Sequence, residues 1–563
     1  MGRLFSSKLL AKYIQAFGFP EDLRSRGQKI LNWCDYFQQH PSSAAERAEF
    51  IHDLFVDLLG YKSPFTSDQS SESELEFEPE VAIGFFQGTL AEKPEIVAKV
   101  IWQDWQISSM LSTKSFSGFS DCKWIICLSD RTISLYSCER DLLSCESFEF
   151  DRLKDLVQLK AFYFLFGRRT LLKGNLKSNA PARLELILAE SEALEIENCH
   201  EFYNQYQKIR LQLVKDFRYR LQSSELVSES QAEVKAQELA IAQAIAQAQK
   251  LLNRILFISF CESCGILPQG LLRQAYEFHN PYRSQPAWEN YRAIFSWLHN
   301  GNPDFHPPII GFNLDLFAFD PLLDQALFVG EELCRQIKEL TKFDLAMDFS
   351  DRAIAEIFHE ILKDLKPLRQ DQTAKEKRRR FKFSSKSQTE RYQNQLQLKS
   401  WLQNSLLSDL AEGSSADTED TSASLENHPQ DQPENWLKIR SKLAQIKILN
   451  NKCHTGIYLA DSLNLLLSEY QRLDQAIALA SKQSGEDQKE NLKAESLSSL
   501  ITQVSSQIYG CDLDPEAIEI TKLQLYFRIL SILSSAFYVE LHLETAEHNQ
   551  CFNQIHDKLC FRI

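Results

Sequence analysis

The stretch Ile508–Leu530, IYGCDLDPEAIEITKLQLYFRIL, constrains the fold most, because an apolar run ends at Asp512 and an amphipathic helix opens directly after it. A strand that delivers a carboxylate at its carboxyl end and turns at once into a helix is the ligand-holding element of an open parallel α/β sheet. In that position Asp512 would accept hydrogen bonds from both hydroxyls of a ribose, while Asp514 and Pro515 would serve as N-cap and first turn of the helix.

A chain of 563 residues, 44% of them hydrophobic, exceeds one ordinary core and implies several folded units. A formal net charge of -15 argues against broad electrostatic adhesion to nucleic acid and leaves room only for a locally basic channel. No N-terminal signal-type apolar core occurs, and no run approaches the roughly 20 apolar residues that span a bilayer, so a cytoplasmic protein without membrane contact is expected. The 13 cysteines are scattered singly through apolar segments, as reduced core thiols are. Cys261 and Cys264 form the only close pair in sequence; no second pair completes a tetrahedral metal set, and they are read as structural.

The pattern along the chain is that of a multi-domain α/β protein. Residues 1–150 combine helices, with Phe50, Leu54, Leu58 and Leu59 on one apolar face, with short β-rich runs such as IVAKVIW, KWIICLS and TISLYSC. The polar stretch SDQSSESELEFEPE between them reads as a loop. Residues 151–365 are mainly helical; Leu239, Ile245, Leu252 and Leu256 form a buried stripe on one helix, and Ser350 is a candidate N-cap for another. Residues 366–436 join the concentrated basic segment KEKRRRFKFSSK to an acidic tract of low hydrophobicity that is expected to be disordered. In the basic segment Arg378, Arg379, Arg380 and Lys382, interleaved with aromatics, are candidate DNA contacts. Residues 437–563 carry the strand–Asp–helix element.

Upstream of that element, Lys447–Leu459, KILNNKCHTGIYL, stands where a class I methyltransferase has its glycine loop. With FVDLLGY, KWIICLSDRTISLY, FYFLFGRRTLL, LLNRILFISFCESCGILP, GFNLDLFAFDPLLD and DFSDRAIAEIFHEIL in the same order, the chain resembles the adenine-specific DNA methyltransferases of type IIG restriction-modification systems and their phage-exclusion relatives. The resemblance implies a nuclease-like α/β domain over 1–150, a helical spacer over 151–365, and the N-terminal part of a Rossmann-like methyltransferase domain over 437–563 that takes S-adenosylmethionine.

It also implies site residues, several of them altered. The family's glycine loop reads close to D-P-A-C-G-S-G-x-F-L; here Cys453, Gly456 and Leu459 match, Thr455 is conservative, His454 replaces a glycine and Asn450 the acidic residue. Cys453, Thr455, Gly456, Asp512 and Asp514 are therefore the candidate cofactor residues. The G-x-Y-Y-T-P segment is at best FSSKSQT at 383–389. Of the nuclease motif, Glu80 and Lys99 remain, but Val97 stands where a carboxylate would complete the Mg²⁺ site, and one carboxylate holds Mg²⁺ poorly. Mg²⁺ binding and cleavage are not expected of this domain; Mg²⁺-dependent nicking that disappeared in Lys99→Ala would overturn that expectation.

The family's catalytic N-P-P-Y loop holds the adenine amino group and stacks on the flipped base. The nearest string, Asn280-Pro281-Tyr282, lacks a proline, follows polar residues and precedes the cofactor motifs, so it reads as a loop and no catalytic residue is assigned. The expected protein is inactive alone or half of a split enzyme, completed by a second methyltransferase or specificity chain. The alternative is a non-catalytic DNA-binding or scaffold protein derived from that family.

Overall fold

The computed structural model describes residues 4–39, 44–62, 75–78, 87–92, 95–102, 122–129, 131–138, 145–172, 181–223, 231–278, 282, 286–309, 311–312, 314–369, 391, 394–395, 397–402, 404–406, 433–483 and 497–540. The chain is mostly helical with two small sheets, and it divides into two compact units, 1–196 with 384–397 and 197–383 with 398–563. Glu80, Asn280, Pro281, the basic segment with Arg378, Arg379, Arg380 and Lys382, the 383–389 segment and most of the acidic tract lie outside the described residues.

The first unit is built on a six-stranded sheet in sequence order: β1 (Leu75–Glu78), β2 (Gln87–Glu92), β3 (Glu95–Trp102), β4 (Trp124–Leu128), β5 (Thr132–Ser137) and β6 (Cys145–Glu149). All pairings are antiparallel except β3 with β4, where Ala98 faces Trp124 and Lys99 faces Ile125. A parallel pair needs a crossover, and residues 103–121 connect these strands. β1 falls inside the stretch read as a loop; Leu75 and Phe77 alternate with Glu76 and Glu78, a period of two that its acidic surroundings had obscured.

Period-two alternation places Trp124, Ile126, Leu128, Ile133 and Leu135 in one core. Onto them pack Phe50, Leu54, Leu58 and Leu59, the anticipated apolar face, all at most 1% exposed. The helix Leu156–Phe166 buries Leu159 and the run 162–166 while Val157 in its first turn is exposed, and Asp155 caps it by accepting from the Val157 amide at 3.1 Å. It stops at Gly167, where a Cβ would lie 2.4 Å from the Tyr163 carbonyl.

The second unit is a helical assembly with a two-stranded parallel sheet. Its central helices, α1 (Gln231–Ser263) and α2 (Asp351–Arg369), share one apolar core with the C-terminal helices. Ile245, Leu252 and Leu256 are buried as expected, but Leu239 is 59% exposed, so the stripe begins only at Ala240 and Ile241. Ser350 accepts from the Ala353 amide at 3.2 Å and caps α2. Cys261 and Cys264 sit at the end of α1, and burial pushes both thiols up, Cys264 to about 11, which suits unreactive packing groups.

Two buried arginines meet opposite charge and backbone carbonyls, Arg254 through all three of its nitrogens and Arg210 through its two terminal ones. Arg254 holds Asp324 at 2.6 Å and the carbonyls of Leu316 and Ala318 at 2.7 and 3.0 Å. Arg210 binds Asp364 at 3.3 Å and the Ile361 carbonyl at 3.0 Å, and Tyr203 and Gln207 also donate to Asp364. Such charges are tolerable in a core only when paired this way.

Lys399 differs. It is 3% exposed, and its Nζ has no hydrogen-bond partner among the described residues. Burial lowers its pKa to about 8; Glu469 opposes the shift and Arg472 adds to it. A lysine whose folded pKa lies below its unfolded value of 10.5 destabilises the fold fully below pH 8, and stability recovers as pH rises from 8 to 10.5. Lys399→Met is therefore expected to gain up to about 3 kcal/mol at pH 7, taking 1.4 kcal/mol per pKa unit. Urea denaturation at pH 7 and pH 10 checks this, since the gain should shrink at the higher pH.

Candidate cofactor site

The parallel sheet pairs β7 (Ile448–Asn450) with β8 (Ile508–Gly510) in the register Ile448 to Ile508, Leu449 to Tyr509 and Asn450 to Gly510. Both strands end at the same level, so the loops at their carboxyl ends converge. The loop after β7 runs into α3 (Ile457–Gln483), and the one after β8 into α4 (Pro515–Glu540). Three residues per strand is little pairing, and the loops are tied together further on: the Cys511 amide donates to the Asn450 carbonyl at 2.9 Å, and the Cys453 amide to the Cys511 carbonyl at 3.1 Å.

Between the strands and α3 the chain makes a compact turn. Asn450 Oδ1 accepts from the Lys452 amide at 3.1 Å, and the Gly456 amide donates to the Cys453 carbonyl at 2.7 Å. His454 and Gly456 both take positive φ, 51° and 78°. At Gly456 a Cβ would lie 2.9 Å from Thr521 Cα and Cγ2 on α4, so both backbone conformation and close approach demand glycine. At Gly510 a Cβ would meet Leu459 Cδ1 at 2.7 Å, which lets β8 lie against α3.

Asp512 is the hinge of the arrangement. Its Oδ2 accepts from the His454 amide at 3.0 Å, and its Oδ1 from the Asp514 amide at 3.0 Å. Burial pushes this carboxyl up, but the Asp514 and His454 amides and the charge of the His454 ring outweigh it, leaving the pKa below its ordinary value. Asp514 Oδ1 accepts from the Glu516 amide at 3.1 Å and Pro515 opens α4, the cap and first turn anticipated. Thr521 Oγ1 donates to the His454 carbonyl at 3.2 Å. Cys453 and Thr455 are buried under the loop, and burial raises the Cys453 thiol above its ordinary pKa while a hydrogen bond to Thr521 opposes it.

The structure thus brings Cys453, Thr455, Gly456, Asp512 and Asp514 together at the ends of two parallel strands. His454 occupies a glycine-favouring conformation, in keeping with the glycine expected there, and its ring lies against His359 of α2 at 5.1 Å between centroids. Two neighbours were missed in sequence. Leu513, between the two aspartates, is wholly exposed; an apolar residue within a capping turn was the available signal. His359 had none, because it arrives from a distant helix. Lys99 lies on β3 opposite Thr89 and Ile125. No group of three or more metal-ligating side chains occurs among the described residues. No described helix is long and apolar enough to cross a membrane.

No family model and no curated protein matches the sequence. Among solved structures, a Type IIL restriction-modification enzyme, MmeI, in complex with DNA is similar at 13% identity and a TM-score of 0.33, covering 61% of this chain and 37% of that one. A DrdV–DNA complex is similar at 11% identity and a TM-score of 0.18, covering 95% of this chain and 42% of that one. The chain spans less than half the length of either, and likenesses this loose carry no argument about its activity.

Two substitutions test the loop. Gly456→Ala is expected to lose roughly 1–3 kcal/mol, from left-handed strain and the contact with Thr521. His454→Gly is expected to gain about 1 kcal/mol by removing a Cβ from the same backbone region. Denaturant midpoints measured side by side check both signs.

Proposed function

We propose that the second unit binds S-adenosylmethionine at the loop ends of β7 and β8, and that the chain serves as the cofactor-binding part of a DNA adenine methyltransferase of restriction-modification type. The observation that carries this reading is the latch between the His454 amide and Asp512, which sets an ionised carboxylate, a backbone turn with two positive-φ residues and the exposed Leu513 at one sheet edge. The residues fit a nucleoside. Asp512 retains acceptor capacity on both oxygens for ribose hydroxyls, Leu513 offers an apolar face for a base, and the 453–456 turn offers backbone groups beside the entrance of α3. Cys453, Thr455, Gly456 and Asp514 shape this cradle. S-adenosylmethionine, when bound, supplies an electrophilic methyl group; these side chains bind and orient.

The tetrapeptide Asn-Pro-Pro-Tyr does not occur in these 563 residues, and the proposal includes a second methyltransferase or specificity chain that brings the group receiving adenine. DNA is the proposed shared partner, reached in part through Arg378, Arg379, Arg380 and Lys382. Glu80 and Lys99 are proposed as remnants of a nuclease site without Mg²⁺ activity.

A second reading, a non-catalytic DNA-binding or scaffold protein, is favoured by one observation: both Asp512 oxygens already accept backbone amides, as they would in a purely structural turn. Calorimetry separates the two. The cofactor reading expects saturable S-adenosylmethionine binding that falls at least tenfold in Asp512→Ala, and tighter binding in His454→Gly. Absence of heat with a folded protein would leave the scaffold.

A further inference from the structure

Cysteines 122 and 138 lie in the first unit, flanking the segment KWIICLSDRTISLY and far in sequence from the 453–514 site. Cys122 immediately precedes the Lys123–β4 segment and Cys138 immediately follows β5. The antiparallel pairing of those strands, with Trp124 opposite Ser137, continues one step further through the Cys138 amide, which donates to the Lys123 carbonyl at 2.8 Å. At this end of the strand pair the sulfurs of Cys122 and Cys138 are 3.7 Å apart. A disulfide holds its sulfurs about 2 Å apart, so this pair starts within about 2 Å of bonding distance.

We propose that Cys122 and Cys138 form a reversible redox pair, a thiol-modification site closed by disulfide oxidants of the glutathione class. Access orders the chemistry. Cys138 is half-buried, whereas Cys122 is 6% exposed. The Cys138 thiolate attacks glutathione disulfide, forming a mixed disulfide and releasing one glutathione thiolate. The Cys122 thiolate then attacks the Cys138 sulfur, forming the intramolecular bond and releasing the second glutathione. The protein loses two electrons and two protons in total, and glutathione disulfide is reduced to two thiols.

The other cysteines of this sheet do not compete. Burial raises the thiol of Cys127 well above its ordinary range and that of Cys145 to about 11, so neither is a ready nucleophile at neutral pH. In the second unit Cys511 is exposed but lies elsewhere in the chain and serves as an internal control for simple glutathionylation. The bond would staple the start of β4 to the end of β5, closing a short loop in the unfolded chain and so favouring the folded first unit.

The test is titration of the full chain with glutathione disulfide under native conditions, followed by alkylation, digestion and mass mapping. The expected result is a linked Cys122–Cys138 peptide that dithiothreitol reverses, formed with a raised denaturation midpoint. In Cys122→Ser the mixed disulfide should accumulate on Cys138, and in Cys138→Ser Cys122 should stay unmodified. Stable glutathionylation of Cys138 in the unsubstituted protein, or Cys511 modified while the pair stays reduced, would overturn the proposal. Since both serine variants preserve size and the readout is a covalent bond, loss of fold would be seen separately in their denaturation curves.

Discussion

One hydrogen bond organises the C-terminal end of the second unit: the amide of His454 on the carboxylate of Asp512. Two three-residue parallel strands cannot hold their own register, since parallel pairing is a feature of larger, covered sheets. Here the bond fixes the turn after one strand to the turn after the other. Everything around it follows. The turn must double back through positive φ at His454 and Gly456; Gly456 must be bare to pass Thr521; and Asp512, held by two amides, stays ionised. The same geometry that stiffens the fold exposes a carboxylate edge and Leu513, which is why a binding role and a structural role rest on the same atoms.

Local chemistry was legible in the residues, and long-range encounters were not. Asp514 and Pro515 announced a helix start, Ser350 a cap, and the β-branched and aromatic residues of KWIICLS and TISLYSC two strands, because each depends on neighbours a few positions away. Gly456 was legible as a close-approach residue, although Thr521, the group approached, arrives 65 positions later and left no trace in the local pattern. Leu239 looked buried by spacing and is not, since periodicity marks a face without saying how far along the helix it is covered. β1 was hidden by its glutamates, which alternate with Leu75 and Phe77. The juxtapositions of His359 with His454 and Cys122 with Cys138 come only from the folded chain.

Charge is handled in two ways within the second unit. Arg254 is surrounded by a carboxylate and carbonyls that satisfy its guanidinium fork, and Arg210 meets Asp364 and the Ile361 carbonyl through its terminal nitrogens, so each charge is paired where it is buried. Lys399 enters a comparable interior without such partners, and the fold meets the cost by weakening its hold on the proton. Point charges and planar forks are not interchangeable in a core, and the unit displays both solutions.

The rings of Phe260 on α1 and Phe527 on α4 stack at 4.1 Å with 5° between their planes, while Arg528 reaches Asp351 at 2.7 Å. These contacts join the helix that follows Asp512 to the helical body. The nucleoside-like element is consequently no portable cassette. Residues 437–540 taken alone would leave α4 without its aromatic partner and the middle helices without cover, so this element depends for its packing on the helical body that precedes it.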